Sequence, residues 1–290
     1  MLTFDKNYFS IEDTLKCGQT FAFEPYQNGY VVKSADKFAF LYYSGDKVVI
    51  ESENNAYFEN YFDLNRDYQT ICQKATNYQI ELLTKAVQIG KGIRILKQDP
   101  FETIISFLIS QNNNISRITK SIFFLCEKLG KKVNFLGERY AFPTPQALAN
   151  APLELLKNAG LGYRCNYVLE CAKKVVSGEI NIKYLQTLST KELKLELLKI
   201  KGVGEKVANC IMLFGFSKFD SFPVDTWIEK VYLQDFNGKS ATREKITEYF
   251  INLFGDSSGI IQQYLFNYKR NIQGDKKWTF YFYRYFQSIV

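Results

Sequence analysis

Residues 189–216 read STKELKLELLKIKGVGEKVANCIMLFGF. Ser189, with Glu192 three positions on, is a capping box that opens a helix, and Lys201-Gly202 ends it. A second helix starts at Glu205, directly after Val203-Gly204. Helix, tight Lys-Gly-Val-Gly hairpin, helix is the pattern of a device that grips a nucleic-acid backbone. Its glycines permit positive φ and let a phosphate reach the main chain. The unsatisfied N–H groups of the second helix then point at the anion. A sharp turn between two core helices is the alternative reading of the same residues. Along the second helix Val207, Ala208, Ile211, Phe214 and Gly215 share a core-facing side. Lys206 lies away from the centre of that side, with Cys210 one turn on and Leu213 nearly in line. The spacing predicts a lysine looking into a cleft lined by a thiol and a leucine, a fitting place for an amine nucleophile. An ordinary surface lysine is the competing reading.

Outward from the hairpin, global properties narrow the chemistry. The chain has 290 residues, 46% hydrophobic and 16% aromatic, enough for one large or two modest globular units with a sizeable core. The formal charge of +7 favours a polyanionic partner, nucleic acid before an anionic membrane. Histidine is absent, which excludes Ser-His-Asp and Cys-His catalysis and histidine-ligated zinc. Acid–base or nucleophilic work therefore falls to Lys, Asp, Glu, Cys or Tyr. The six cysteines form no CxxC pair and do not match the spacing of an iron–sulfur cluster, so reduced thiols are expected, with no metal and no cofactor. No long apolar run and no signal-like start are present, so a cytoplasmic, membrane-independent protein is expected.

The texture changes near residue 95. From Gly18 to about Ser52, the runs QTFAFEPY, GYVVKSA, KFAFLYYS and KVVIES are separated by turn signals and read as an antiparallel meander, with helical patterning following. GKGIRILKQDP (90–100) reads as a connector, and beyond it the pattern is almost wholly helical. The expectation is an α+β protein with a sheet domain over residues 1–95 and a helical domain over 96–290, the hairpin spanning about 190–216. Asp99-Pro100 with Glu102 is a helix start that runs into Asn112, Asn113 and Asn114, followed by Arg117. The three asparagines are either a polar turn or a tip that offers amides to a ligand. Asp225, after Pro223-Val224, sits at the mouth of another helix as a cap, a catalytic carboxylate, or both.

The ordered blocks CGQTFAF, KQDPFETIISFLISQNNNISRIT, AGLGYRCNYV, KGVGEKVANC, FPVDTW and GIIQQYLF span nearly the whole chain. Together they resemble the 8-oxoguanine DNA glycosylases of the helix-hairpin-helix superfamily, in their two-domain form with a TBP-like N-terminal sheet. The resemblance implies a bifunctional enzyme that flips 8-oxoguanine out of double-stranded DNA, excises it and cleaves the strand. Lys206 is implied as nucleophile through a Schiff base, and Asp225 as the catalytic carboxylate. Gly18 is implied to accept from N7–H of the oxidised base, Gln262 to read its Watson–Crick edge, and Cys210 and Phe266 to sandwich the ring. Asn112 would fill the vacated stack, Tyr163 would wedge beside it, and Arg117 with Arg164 would hold the orphaned cytosine. Gly202, Gly204 and Val207 belong to the implied DNA contact, and the protein is expected to act as a monomer. Trp227 departs from the family pattern, which has a phosphate-binding histidine two residues after the aspartate. A monofunctional alkylbase glycosylase and a non-catalytic DNA-binding protein are the rival readings.

Overall fold

A computed structural model describes residues 1–273. The expected helical domain extends to residue 290, and its last part lies outside the described residues. Five strands form an antiparallel sheet: β1 (Leu2–Asp5), β2 (Phe23–Tyr26), β3 (Gly29–Ser34), β4 (Lys37–Ser44) and β5 (Lys47–Ser52), in the order β1-β5-β4-β3-β2. The expected meander is present, with Val32 opposite Ala39 and Leu41 opposite Ile50. Two details differ. A short edge strand, β1, pairs Leu2 with Ile50. Gln19–Ala22 stays out of the sheet, because Gln19 is occupied elsewhere, as described below.

Both faces of the sheet are covered, which explains apolar runs such as KFAFLYYS that do not alternate. On one face, Val32, Ala39, Leu41, Val48 and Ile50 pack under Phe9, Ile11, Leu15, Phe58 and Phe62. These come from α1 (Ile11–Lys16), α2 (Asn55–Tyr61) and their flanks. On the other face, Val31, Phe38 and Phe40 meet Val133 and Phe135 of a small hairpin, β6 (Lys132–Asn134) with β7 (Glu138–Tyr140). That hairpin interrupts a region whose sequence pattern is almost wholly helical. Phe38 and Phe135 stack at 5.9 Å, and Arg139 of β7 pairs with Glu24 of β2.

The helical body comprises α3 (Tyr68–Thr76), α4 (Glu81–Gly90), α5 (Pro100–Ser110), α6 (Ile115–Leu129), α7 (Pro145–Ala149), α8 (Leu153–Asn158) and α9 (Arg164–Ser177). It continues through α10 (Ile182–Thr187), α11 (Thr190–Leu198), α12 (Glu205–Phe216), α13 (Thr226–Asp235), α14 (Arg243–Phe254) and α15 (Ser258–Gln273). Packing joins α3 and α4 to this body: Tyr68, Ala75, Leu83, Ala86 and Val87 share the core of α5, α12 and α15. Gly90 permits the close approach of α15, since a Cβ there would lie 2.8 Å from the Tyr264 ring.

The connector between the two units is a buried seam. Ile93, Ile95 and Leu96 are fully buried, and Arg94 is 1% exposed. The Arg94 guanidinium donates to the main-chain carbonyls of Phe62 and Asp63 and lies 3.8 Å over the Tyr68 ring. Gln19 bridges the two units: its Nε2 donates to the carbonyls of Thr14 and Arg94, both at 2.8 Å, and its Oε1 accepts from Leu96 N–H. Asp99 caps α5 as expected, accepting from Glu102 N–H at 2.9 Å. The Glu102 side chain crosses to the sheet unit instead of closing the box, and accepts from Ala35 N–H at 2.7 Å.

Candidate active site and nucleic-acid interface

The expected hairpin forms. Ser189 and Glu192 complete a reciprocal capping box on α11, and α12 begins after Gly204. The two glycines do different work. Gly202 has φ +89, and a Cβ there would lie 2.5 Å from the Tyr167 ring. Gly204 has φ −101 and ψ 178, an extended conformation open to any residue, and nothing lies within 4 Å of where its Cβ would be. Left-handed freedom therefore explains Gly202 alone. Gly204 leaves an open surface in front of the first turn of α12, which has no side-chain cap. Glu205 on that turn is paired with Lys194 at 2.6 Å, so the local acid is already matched.

Beyond Lys206 every residue of α12 is buried, from Val207 to Phe216. The helix is the central rod of the body, and its core side wraps further round than the apolar spacing suggests. Phe214 stacks on Phe107 of α5 at 5.7 Å and 12°. The Lys206 ammonium lies 5.4 Å over that same Phe107 ring. Its charge also acts on the Cys210 thiol one turn on. Burial pushes that thiol above its ordinary range, and the Lys206 charge partly offsets the effect. Lys206 thus lies over an aromatic ring, with a thiol one turn away. Leu213 closes the end of the row, its Cδ1 lying 2.3 Å from where a Cβ on Gly259 of α15 would sit.

Asp225 caps α13: Oδ1 accepts from Trp227 N–H and Ile228 N–H, both at 3.0 Å. A carboxylate fixed in this way keeps its second oxygen free of the cap. Asp225 acts electrostatically on both Cys210 and Arg270, which places it beside the Lys206 face of α12 and the far end of α15. The Trp227 side chain is half-buried beneath the Lys230 ammonium, 5.0 Å from its ring.

The Cys17-Gly18 segment reaches the same place from the sheet unit. Gln263 Nε2 donates to Cys17 O at 2.9 Å, and Gln98 Nε2 donates to Gln19 O at 2.8 Å, so Gly18 is held between two pinned neighbours. Gly18 has φ +88, and a Cβ there would lie 3.8 Å from Phe266 Cε1 and 3.3 Å from Arg270 Nη1. Burial pushes the Cys17 thiol up to about 11, against the opposing charge of Arg270. Gln262 is buried on α15, and its Oε1 has no hydrogen-bond partner among the described residues. Lys206, Cys210, Asp225, Gly18 and Phe266, distant in sequence, thus belong to one neighbourhood, and Gln262 is buried on the helix that carries Phe266. Arg270 belongs to it too, although no pattern in the sequence singles it out.

A second group lies beside this pocket. Asn112, at the exposed tip between α5 and α6, adopts φ 45, and its Nδ2 donates to the Tyr163 hydroxyl at 3.3 Å. Tyr163 is 52% exposed, a large aromatic ring presented to solvent. The two arginines differ. Arg164 is buried and donates from Nε to Gln111 O at 2.7 Å, from Nη2 to Asn112 O at 2.9 Å and from Nη1 to Leu161 O at 3.1 Å. It holds the asparagine tip in place. Arg117 is exposed, its backbone N–H capped by Asn114. All six cysteines are free, and no helix among the described residues is long and apolar enough to cross a membrane.

Known proteins share this arrangement. Residues 1–104 match the family described as 8-oxoguanine DNA glycosylase, N-terminal domain, and residues 105–255 match the HhH-GPD superfamily of base excision DNA repair proteins. A "Probable N-glycosylase/DNA lyase" of Methanothermobacter thermautotrophicus is 30% identical over 234 residues, 73% of this chain and 72% of that protein. An N-glycosylase/DNA lyase of Saccharomyces cerevisiae is 37% identical over 55% of this chain, a stretch that spans 46% of the yeast protein. Among solved structures, the Clostridium acetobutylicum 8-oxoguanine glycosylase/lyase superposes with a TM-score of 0.86 at 38% identity, covering 92% of this chain and 93% of that one. It was solved with double-stranded DNA containing cytosine opposite 8-oxoguanine. An Archaeoglobus fulgidus 3-methyladenine glycosylase, 22% identical with a TM-score of 0.74, shares the fold.

Proposed function

The chain belongs to the 8-oxoguanine DNA glycosylases of the HhH-GPD superfamily, and on that footing we propose that it excises 8-oxoguanine from double-stranded DNA and cleaves the strand behind it. The observation that carries the reading is the lysine: Lys206 stands over Phe107, with both its own charge and the Asp225 carboxylate close enough to act on the Cys210 thiol. Lys206 Nζ bonds to C1′ of the flipped nucleotide as the C1′–N9 bond breaks, and the departing base leaves with a proton. Asp225 stabilises the positive charge that grows on the sugar. The Schiff base formed next acidifies the C2′ hydrogens, and loss of one expels the 3′-phosphate. Cys210 and Phe266 bracket the base, Gly18 O accepts from N7–H, and Gln262 meets the Watson–Crick edge. No metal or cofactor enters any of these steps, and one copy of the chain carries every group they use. We place the enzyme in the cytoplasm, on the cell's DNA and away from membranes.

Borohydride trapping on a duplex containing 8-oxoguanine tests this directly. Wild-type protein should be trapped covalently, and Lys206→Gln should bind the duplex without an adduct. An adduct of undiminished yield in that variant would remove Lys206 from the mechanism. A monofunctional alkylbase glycosylase or a DNA-binding protein without catalysis would give no adduct even as wild type.

DNA is held through phosphates at Gly202, Gly204 and Val207, and through the tip. Asn112 fills the gap left by the flipped base, Tyr163 wedges beside it, and Arg117 with Arg164 meets the cytosine left behind. Because three of the Arg164 donors are already engaged, two of them on the tip, Arg117 is the freer reader. Arg117→Ala should flatten a preference for cytosine opposite the lesion of about tenfold or more, while Arg164→Ala should slow excision opposite every base. Single-turnover rates on four duplexes differing in the opposite base give the answer, and equal wild-type rates on all four would end the cytosine reading. Gly204→Val should weaken binding to all sequences alike, since its φ and the open space around it let the variant fold normally.

A further inference from the structure

Among the described residues, Arg270 brings a charged side chain against both walls of the base pocket. Its guanidinium lies 5.2 Å from the Phe266 ring centroid, and Nη1 lies 3.3 Å from where a Cβ on Gly18 would be. Nη2 donates to Lys16 O at 2.8 Å, which fixes the plane of the group. Nη1 is out of solvent and has no hydrogen-bond partner among the described residues. A buried, charged donor left unpaired is costly unless a ligand completes it. Burial also depresses the guanidinium pKa, against the opposing pull of Cys17 and Asp225, so this cation is desolvated where it stands.

We propose that Arg270 reads the lesion itself, donating from Nη1 to the C8 oxygen of the flipped base. This rests on the assignment of 8-oxoguanine to the pocket of Gly18, Cys210, Gln262 and Phe266. With N7–H directed at Gly18 O, two carbonyl oxygens flank the contact, O6 and O8. O6 lies toward the Watson–Crick edge, which falls to Gln262, and O8 is left beside Gly18 and the Phe266 edge, where Nη1 waits. Guanine carries C8–H at that position, so it would leave the cation buried and unpaired. A single hydrogen bond to N7–H discriminates weakly against a large excess of guanine. A second contact, made only to the other atom that oxidation changes, multiplies that selectivity, because a site built to bond a polar group rejects the analogue that lacks it.

The test compares wild type with Arg270→Met, which keeps the aliphatic packing on Phe266, on three substrates under single-turnover conditions. These are duplexes with 8-oxoguanine, with 8-thioguanine, which keeps N7–H but offers a weak sulfur acceptor, and with a preformed abasic site. The variant should lose about tenfold to a hundredfold on 8-oxoguanine, the worth of a hydrogen bond to a charged donor. It should lose clearly less on 8-thioguanine and on the preformed abasic site, so that the difference between the losses on the two bases defines a coupling between Arg270 and O8. Equal slowing on all three substrates would reduce Arg270 to a support for the Lys16–Gly18 segment or a phosphate contact, and no slowing on any would remove it from the site. Should the methionine variant melt early, Arg270→Lys, which keeps a cation but loses the planar two-armed fork, must show the same substrate ranking. Failure of the underlying reading looks different: wild-type protein would then leave 8-oxoguanine untouched.

Discussion

Gln262 and Gln263 are neighbours on α15, both buried, and only one of them has its amide engaged by the protein. Gln263 donates to Cys17 O in the seam between the units, whereas Gln262, which we assign to the lesion pocket, has an Oε1 without a partner among the described residues. The arginines repeat the contrast. Arg94 in the seam meets two main-chain carbonyls and stacks on Tyr68, while Arg270 at the pocket has one arm bonded and one bare. The same residue types are completed by the protein in one region and left with a bare atom in the other. A buried polar atom without a partner costs free energy, and on the proposed function the substrate is what would recover that cost in the pocket.

If that contrast is right, the largest loss of stability comes from the seam. Arg94→Met should destabilise the protein by about 3 kcal/mol, because it strands two buried carbonyls and removes a stacked cation. Urea denaturation should show the loss, while excision per folded molecule stays near the wild-type rate. A stable Arg94→Met protein with a damaged pocket would reverse the roles assigned to the two regions.

Glu102 gives the seam a pH dependence. Burial, reinforced by nearby Asp99 and opposed by Lys33 and the Ala35 N–H, pushes its carboxyl from 4.5 up to about 7. A folded-state value above the unfolded one means that the favourable contribution is complete below pH 4.5. It is lost as pH rises through 7, where the buried group must ionise. The loss amounts to about 3 kcal/mol at most, because each tenfold change in an ionisation constant is worth about 1.36 kcal/mol. The chain has no histidine, so Glu102 should dominate the change in stability between pH 5 and pH 8. Glu102→Gln keeps an acceptor for Ala35 N–H and should flatten that slope. A variant with the wild-type slope would place the titration elsewhere.

The sequence exposes the pocket's chemistry more fully than the seam's. Lys206, Asp225 and the hairpin stand in short blocks whose helix caps and spacing can be read locally, and the two-unit, α+β architecture follows from strand and helix periodicity. The seam depends on pairings between residues far apart in sequence. Gln19 meets Arg94 and Leu96, and Glu102 meets Ala35, and no local pattern announces either. Glu102 even imitates a capping box that it does not close. β1 is hard to see in sequence because LTFD is four residues long and pairs with the last strand of the sheet. Gly202 and Gly204 look like one feature in the sequence, and only the distances around each separate a turn glycine from a glycine that clears a surface.

The smallest effect on stability belongs to the pocket, and it is the sharpest test of the contrast. Gln262→Leu removes an amide whose oxygen is buried and unpaired, in a side chain flanked by Ile261 and Leu265 on a helix that otherwise packs into the core. Replacing an unsatisfied polar group with an apolar one of similar size is close to neutral, so unfolding free energy should move by no more than about 0.5 kcal/mol and in the stabilising direction. Excision of 8-oxoguanine should nevertheless fall about tenfold or more, because the donors and acceptors of the Watson–Crick edge would then meet hydrocarbon. The corresponding change in the seam, Gln263→Leu, should do the reverse: it orphans Cys17 O, costs about 1–3 kcal/mol of stability and alters excision only through looser placement of Gly18. Measuring both variants by denaturation and by single-turnover excision yields four numbers from two adjacent residues. Equal stability losses for the two glutamines would mean that the bare oxygen of Gln262 is satisfied in solution, and the division of the molecule into a completed seam and an unfinished pocket would fail at its simplest point.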